Sequence, residues 1–294
     1  MAIRHGTNDF VWVHLCTEFV GPKTSLTFFG SGLGDMSVIY QIGETFLDMC
    51  DCNQDPELGN VVFSLGSSIS ALHPTKGDYN IWMCWGNKEE WIKNYFKKTK
   101  NKPDFVWCLS SNSLDEVIRD YDICGWSSPL GVGKMFKPLH LKRDGLCYSG
   151  MSDRTHKEMR TVLYPVMKRP DFEWRKSNWV SLEKLNEWYN SKLATFGVVS
   201  DLNRIYGMLT SKVCEVFASG TPLIYPVHQG FKEWFGIDYR YQTDSPQKTL
   251  DLINEILNNP EHALKYMEVL SEMTINQHSY ESKLETLFFL LRSV

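Results

Sequence analysis

Thr210-Ser211-Lys212-Val213-Cys214-Glu215-Val216-Phe217-Ala218-Ser219-Gly220-Thr221-Pro222-Leu223-Ile224 reads as a helix that stops and passes directly into a buried strand. Val213, Val216 and Phe217 give the helix an apolar side at helical spacing. Thr210 or Ser211 is suited to cap its start, Gly220 to end it, and Pro222 lies just beyond. Leu223-Ile224-Tyr225 follows as a short apolar run of the kind found in strands covered on both faces. A helix feeding such a strand is one half-turn of a parallel α/β sheet.

The same alternation extends on both sides of this stretch. Leu146-Cys147-Tyr148 predicts a strand ending in Ser149-Gly150, and residues 155–167 and a segment starting at Ser181 have helical spacing. Residues 194–199 read as a strand. Ser245-Pro246 opens a further helix, with the cap before a proline in the first turn, and two last helices cover 261–275 and 280–292. In the first half, residues 10–16 read as a first strand. The Gly-rich Phe29-Gly30-Ser31-Gly32-Leu33-Gly34-Asp35 reads as a loop, leading into a helix that carries Val38, Ile39, Ile42, Phe46 and Leu47. Residues 60–65, 79–85 and 104–109 look like buried parallel strands, with a helix over 88–102. A cluster of Gly125, Pro129, Gly131, Gly133 and Pro138 reads as a hinge. The expected division is an acceptor-side domain over 1–130, a nucleotide-binding domain over 131–275, and a tail over 276–294 that returns to the first domain.

Composition narrows the class. With 43% hydrophobic and 22% charged residues in 294, the chain has the balance of a folded protein rather than a disordered one. No apolar run approaches the ~18–20 residues that span a bilayer, and residues 1–10 lack the apolar stretch of a secretory signal, so a soluble, cytoplasmic protein is expected. The eight cysteines fit no redox or zinc spacing, which favours buried thiols. A net charge of −4 argues against a molecule coated in positive field. Lys93, Lys97, Lys98, Lys100 and Lys102, interleaved with Tyr95 and Phe96, read as a solvated helix face over an aromatic stripe in preference to a nucleic-acid patch.

Chemistry concentrates where the opening stretch begins. A helix start offers backbone N–H groups to phosphate oxygens, and Glu215, one turn on, can accept two hydrogen bonds from adjacent ribose hydroxyls. The same Lys-x-x-Glu spacing also suits an ion pair on a solvated helix.

Residues 212–224 resemble the donor-site motif of the GT-B glycosyltransferases, in which a basic residue, a Glu, an Ala and a Gly-Thr-Pro precede a buried strand. The resemblance implies that Glu215 holds the nucleotide ribose. Leu146-Cys147-Tyr148-Ser149-Gly150 with Arg154 and Lys157-Glu158 resembles the first strand, loop and helix of the donor domain, where basic residues grip the diphosphate. Gly131-Val132-Gly133 with Phe136 and Pro138 resembles the interdomain stretch, and His278-Ser279-Tyr280 resembles the His-Thr-Tyr of the spore-maturation-type branch. The phage DNA β-glucosyltransferases share the strand, glycine and basic-helix arrangement. The resemblance covers roughly residues 125–294 and is loose in the first half.

It implies an α/β protein of two Rossmann-like domains facing a central cleft. The expected donor is a UDP-sugar and no obligatory metal is expected. Gly150, Arg154, Lys157, Ser211, Lys212 and Glu215 would bind the donor, with Trp179 either stacking on the base or filling the core. The likeness to the phage enzymes implies hydroxymethylated pyrimidine in double-stranded DNA as acceptor. A polysaccharide, a protein, a metabolite, or a binding protein without turnover remain open. Candidates for the base that deprotonates the acceptor are Asp35, His73 and Glu89. In many retaining enzymes a second Glu stands eight residues before the ribose-binding one; Gly207 occupies that position here, which favours inversion.

Overall fold

A computed structural model describes residues 14–31, 33–66, 76–85, 89–99, 101–150, 159–175 and 181–293. The chain forms two compact units, Met1–Gly133 with Tyr280–Val294, and Lys134–Ser279.

In the first unit, β1 (His14–Val20) and β2 (Thr24–Ser31) form an antiparallel pair, followed by α1 (Leu33–Asp51). Then come β3 (Gly59–Gly66), β4 (Tyr79–Cys84), α2 (Glu89–Lys98), β5 (Phe105–Cys108), α3 (Ser111–Tyr121) and β6 (Gly125–Ser127). The six strands lie in sequence order, and every pairing after the first is parallel. Strand alternation sends Trp82, Cys84, Val106 and Cys108 to one face, where they pack with Ile92, Tyr95 and Val117 of α2 and α3. Phe28 and Phe63, register neighbours on the opposite face, stack at 4.8 Å. Packed on α1 is the last helix of the chain, Tyr280–Leu291, with Phe288 edge-on to Phe46. Lys93, Lys97 and Lys98 of α2 are exposed, while Tyr95 beneath them is buried and stacked on Trp82 at 3.7 Å. That is the solvated face over an aromatic stripe.

The second unit contains β7 (Leu146–Ser149), β8 (Phe172–Arg175), α4 (Leu182–Asn190), β9 (Ala194–Phe196), α5 (Asp201–Ile205) and α6 (Ser211–Ala218). It continues through β10 (Leu223–Pro226), α7 (Gly230–Phe235), β11 (Gln242–Thr243), α8 (Pro246–Asn258) and α9 (Pro260–Gln277). The sheet order is β11-β10-β9-β7-β8, parallel throughout. After β7 the chain adds β8 on one side, then crosses to the other for β9, β10 and β11. This is the doubly wound order in which ligands bind beyond the carboxyl ends of the two strands where the winding reverses. Here those strands are β7 and β9.

The expected α/β class holds, with two Rossmann-type units consistent with a GT-B-like fold. Several element readings need correction. Of the strand expected over 10–16, the described part, 14–16, belongs to β1, which runs on to Val20, while 10–13 lie outside the described residues; Phe29-Gly30-Ser31 ends β2 instead of forming a loop. Gly125–Ser127, read as part of a hinge, is the edge strand of the first sheet. Of the helix expected over 155–167, the described part contains a five-residue π-helical turn, Met159–Leu163. Five of the seven cysteines whose side chains are described (Cys50, Cys84, Cys108, Cys147 and Cys214) are buried free thiols. Among the described residues no helix is long and apolar enough to cross a membrane.

Candidate functional site

At the switch point of the second sheet, β7 ends in Tyr148-Ser149-Gly150. The Gly150 N–H donates to the Arg175 carbonyl at 3.3 Å, and the Trp174 indole donates to the Gly150 carbonyl at 3.1 Å. These two bonds fix the strand end against its neighbour β8. Helix α6 reaches the same place from the other side. The Lys212 ammonium donates to the Ser149 carbonyl and lies 4.5 Å from the centroid of the Tyr148 ring. A lysine so held puts a positive charge at the carboxyl end of β7.

Glu215, one turn further along α6, is 4% exposed. A residue on a solvated helix face would not be buried in this way, so Glu215 does not lie on one. Tyr189 of α4 is fully buried beside it. Burial pushes the Tyr189 hydroxyl well above the ordinary phenol range, and the Glu215 charge adds to the effect. Ser211 is half-buried at the first position of α6. Thr210 takes the N-cap position in extended backbone, but its side chain makes no cap bond, contrary to the capping role expected for it.

The far end of α6 is held by a polar knot. The single hydroxyl proton of Ser219 has two acceptors within reach, Asn186 Oδ1 at 2.7 Å and the Glu215 carbonyl at 2.8 Å. Gly220, at φ +66°, turns the chain out of the helix, in the left-handed region that a side chain disfavours. Thr221 donates to the Tyr189 carbonyl at 2.9 Å and accepts from Arg143 at 2.7 Å. Asn190, fully buried, receives the Leu139 N–H at 2.8 Å and donates to the Lys137 carbonyl at 3.0 Å.

Beyond β10, His228 is 3% exposed. Its Nδ1 accepts the Gly230 N–H at 3.0 Å, so the neutral ring carries its proton on Nε2. Burial pushes its pKa down to about 4. Gln229 donates to the Ile205 carbonyl at 2.8 Å and Trp234 to the Gly207 carbonyl at 3.1 Å, bracing the turn before α6. Gly207 has φ +72°, a conformation that a glutamate would adopt only with strain.

The second unit thus brings Gly150, Lys212 and Glu215 together with Ser211 on two elements that meet at the β7 end. Arg154, Lys157, Trp179 and His73 lie outside the described residues. Asp35 and Glu89 start α1 and α2, just past the carboxyl ends of β2 and β4; their side chains also lie outside the described ones. Arg143, Asn186, Asn190 and His228 were not anticipated. Each is a single polar residue made structural by partners distant in sequence, so no local pattern marks it.

No curated protein matches the chain. Residues 151–288 match the model of a family described as glycosyl transferase-like, a span that includes Lys212, Glu215 and the Gly220-Thr221-Pro222 turn. That match and the doubly wound sheet beneath it support glycosyl transfer as the general activity of the chain.

Proposed function

We propose that the protein transfers a sugar from a UDP-sugar to a hydroxyl acceptor, and that the unit Lys134–Ser279 holds the donor over the ends of β7 and β9. The observation that carries this reading is the meeting of Lys212 with the β7 end and of a buried Glu215 one turn along the same helix. A departing nucleoside diphosphate gains negative charge as the glycosidic bond breaks. A fixed ammonium and the N-terminal N–H groups of α6 stabilise that charge most in the transition state. Arg154 and Lys157, by the resemblance, add cations on the diphosphate. Glu215 accepts the ribose hydroxyls.

The acceptor hydroxyl loses its proton to a base drawn from Asp35, His73 and Glu89, and direct displacement inverts the anomeric centre. Gly207, in place of the second glutamate, supports that stereochemistry. For the acceptor, the likeness to the phage enzymes supports 5-hydroxymethylated pyrimidine in duplex DNA. No metal has a part in this scheme.

The test is direct. Purified protein is titrated with UDP by calorimetry, then incubated with a panel of UDP-sugars and duplex DNA with or without 5-hydroxymethylcytosine, with products read by mass spectrometry. Expected are UDP binding and a mass gain of one sugar on the modified duplex alone. Sugar transfer to a different hydroxyl compound would move the acceptor and keep the enzyme. Failure of every nucleoside diphosphate to bind would remove the donor site itself.

A further inference from the structure

Arg143 is a half-buried cation whose hydrogen-bond partners among the described residues are all neutral oxygens. Nη1 donates to the Tyr189 carbonyl at 3.3 Å, the Lys192 carbonyl at 3.0 Å and Thr221 Oγ1 at 2.7 Å. Nη2 donates to the Ser219 carbonyl at 3.2 Å and Asn190 Oδ1 at 3.4 Å. Burial pushes the guanidinium pKa down to about 10, which still leaves it charged at neutral pH. The carbonyls it gathers belong to the C-terminal ends of two helices, α4 and α6, where the helix dipole is negative. One fork therefore ties together the segment entering β7, the end of α4 and the end of α6.

We propose that Arg143 is a positioning residue for the donor site, acting through α6. Resting on the functional reading above, this assigns the Gly220-Thr221-Pro222 turn a mechanical role: Thr221 and Ser219 are the handles by which Arg143 holds the helix. Helix α6 has eight residues, so it is a rod of about 12 Å. Lys212 and Glu215 sit on that rod within two turns of the clamp. A rotation of one residue about the axis turns a side chain by about 100°, which would carry Glu215 off the ribose and Lys212 off the β7 end. Asn186 and Asn190 complete the clamp from α4, through Ser219 Oγ and the chain at Lys137 and Leu139. A lysine in place of Arg143 supplies charge without the planar set of donors, so it cannot hold five oxygens at once.

The test is a double-mutant cycle on UDP affinity, with urea unfolding measured alongside. Arg143→Lys is expected to weaken UDP binding about tenfold, and Glu215→Gln about tenfold or more, consistent with loss of charge-assisted hydrogen bonds. Because Arg143 acts through the setting of α6, and so of Glu215 and Lys212 together, R143K should cost less in the E215Q background than in the wild type, whereas independent sites add. Additive losses, or an R143K protein that loses stability while its folded fraction binds UDP like wild type, would overturn the positioning role and leave the donor site standing. Should R143K be insoluble, Thr221→Val removes one handle and carries the same cycle, with Thr221→Ser expected to restore binding. If no nucleoside diphosphate binds the wild-type chain, or E215Q binds as tightly as wild type, the functional reading fails and takes this role with it.

Discussion

His228 shows how one buried side chain can make the second unit sensitive to acid. In the unfolded chain its imidazole takes a proton near pH 6.5, the ordinary histidine value. In the folded protein burial holds that step down at about 4. Between those values the unfolded state binds the extra proton, so stability is full above about pH 6.5 and is lost as pH falls towards 4. The gap corresponds to roughly 3 kcal/mol of stability at most. Urea titrations at pH 7 and pH 4.5 should show this loss in the wild type, and His228→Gln should flatten that part of the profile while lowering stability at pH 7. A second residue-scale prediction concerns Glu215. Replacing it by Gln keeps the shape and removes the charge, and UDP affinity should fall by about 10- to 100-fold, the worth of hydrogen bonds to a charged group. Glu215 was legible in the sequence because its neighbours form a motif. His228, Arg143 and Asn190 were not, since their burial comes from partners such as Thr221, 78 positions from Arg143.

Elements were most legible where both faces of a strand are covered. The runs that became β3, β4, β5, β7 and β10 are continuous and apolar because helices or the sheet interior meet both sides. Strand β2 was hidden by Gly30 and Gly32 at its end, which look like loop signals although Leu26 and Phe28 before them are fully buried at alternate positions. Strand β8, Phe-Glu-Trp-Arg, lies at a sheet edge and is half-exposed, so hydropathy gives it no outline. The end of α6 offers a test at this scale. A Cβ on Gly220 would meet nothing nearer than Pro138 Cγ at 3.7 Å, so space is available and only the left-handed backbone opposes a side chain. Gly220→Ala should therefore lower unfolding free energy by about 1–2 kcal/mol. Denaturant midpoints would read that loss, and an unchanged midpoint would mean that the helix stop tolerates another backbone.

At the scale of the whole molecule, the chain is not divided as its sequence runs. The segment Tyr280–Val294 belongs to the same unit as Met1–Gly133, while Lys134–Ser279 is one continuous stretch. Tyr280, Leu284, Leu287, Phe288 and Leu291 of the last helix are buried, and Lys283, 4% exposed, donates to Ser128 Oγ at 2.6 Å. The Tyr280 N–H also donates to the Val132 carbonyl, and Arg292 to the Pro56 carbonyl. At about 1.5–3 kcal/mol for each large apolar side chain, burial of this helix is worth on the order of 10 kcal/mol, comparable with the entire stability of a typical domain. Truncation after Ser279 should therefore unfold the first unit while leaving the second intact. Limited proteolysis of the shortened chain should degrade residues 1–133 and spare a fragment near 134–279. Because the proposed donor contacts from β7 to α6 lie within that fragment, it should still bind UDP with an affinity close to that of the full chain, although sugar transfer is abolished. A protected fragment that no longer binds UDP would mean that the donor site draws on residues of the first unit, and that Lys212 and Glu215 do not suffice to organise it.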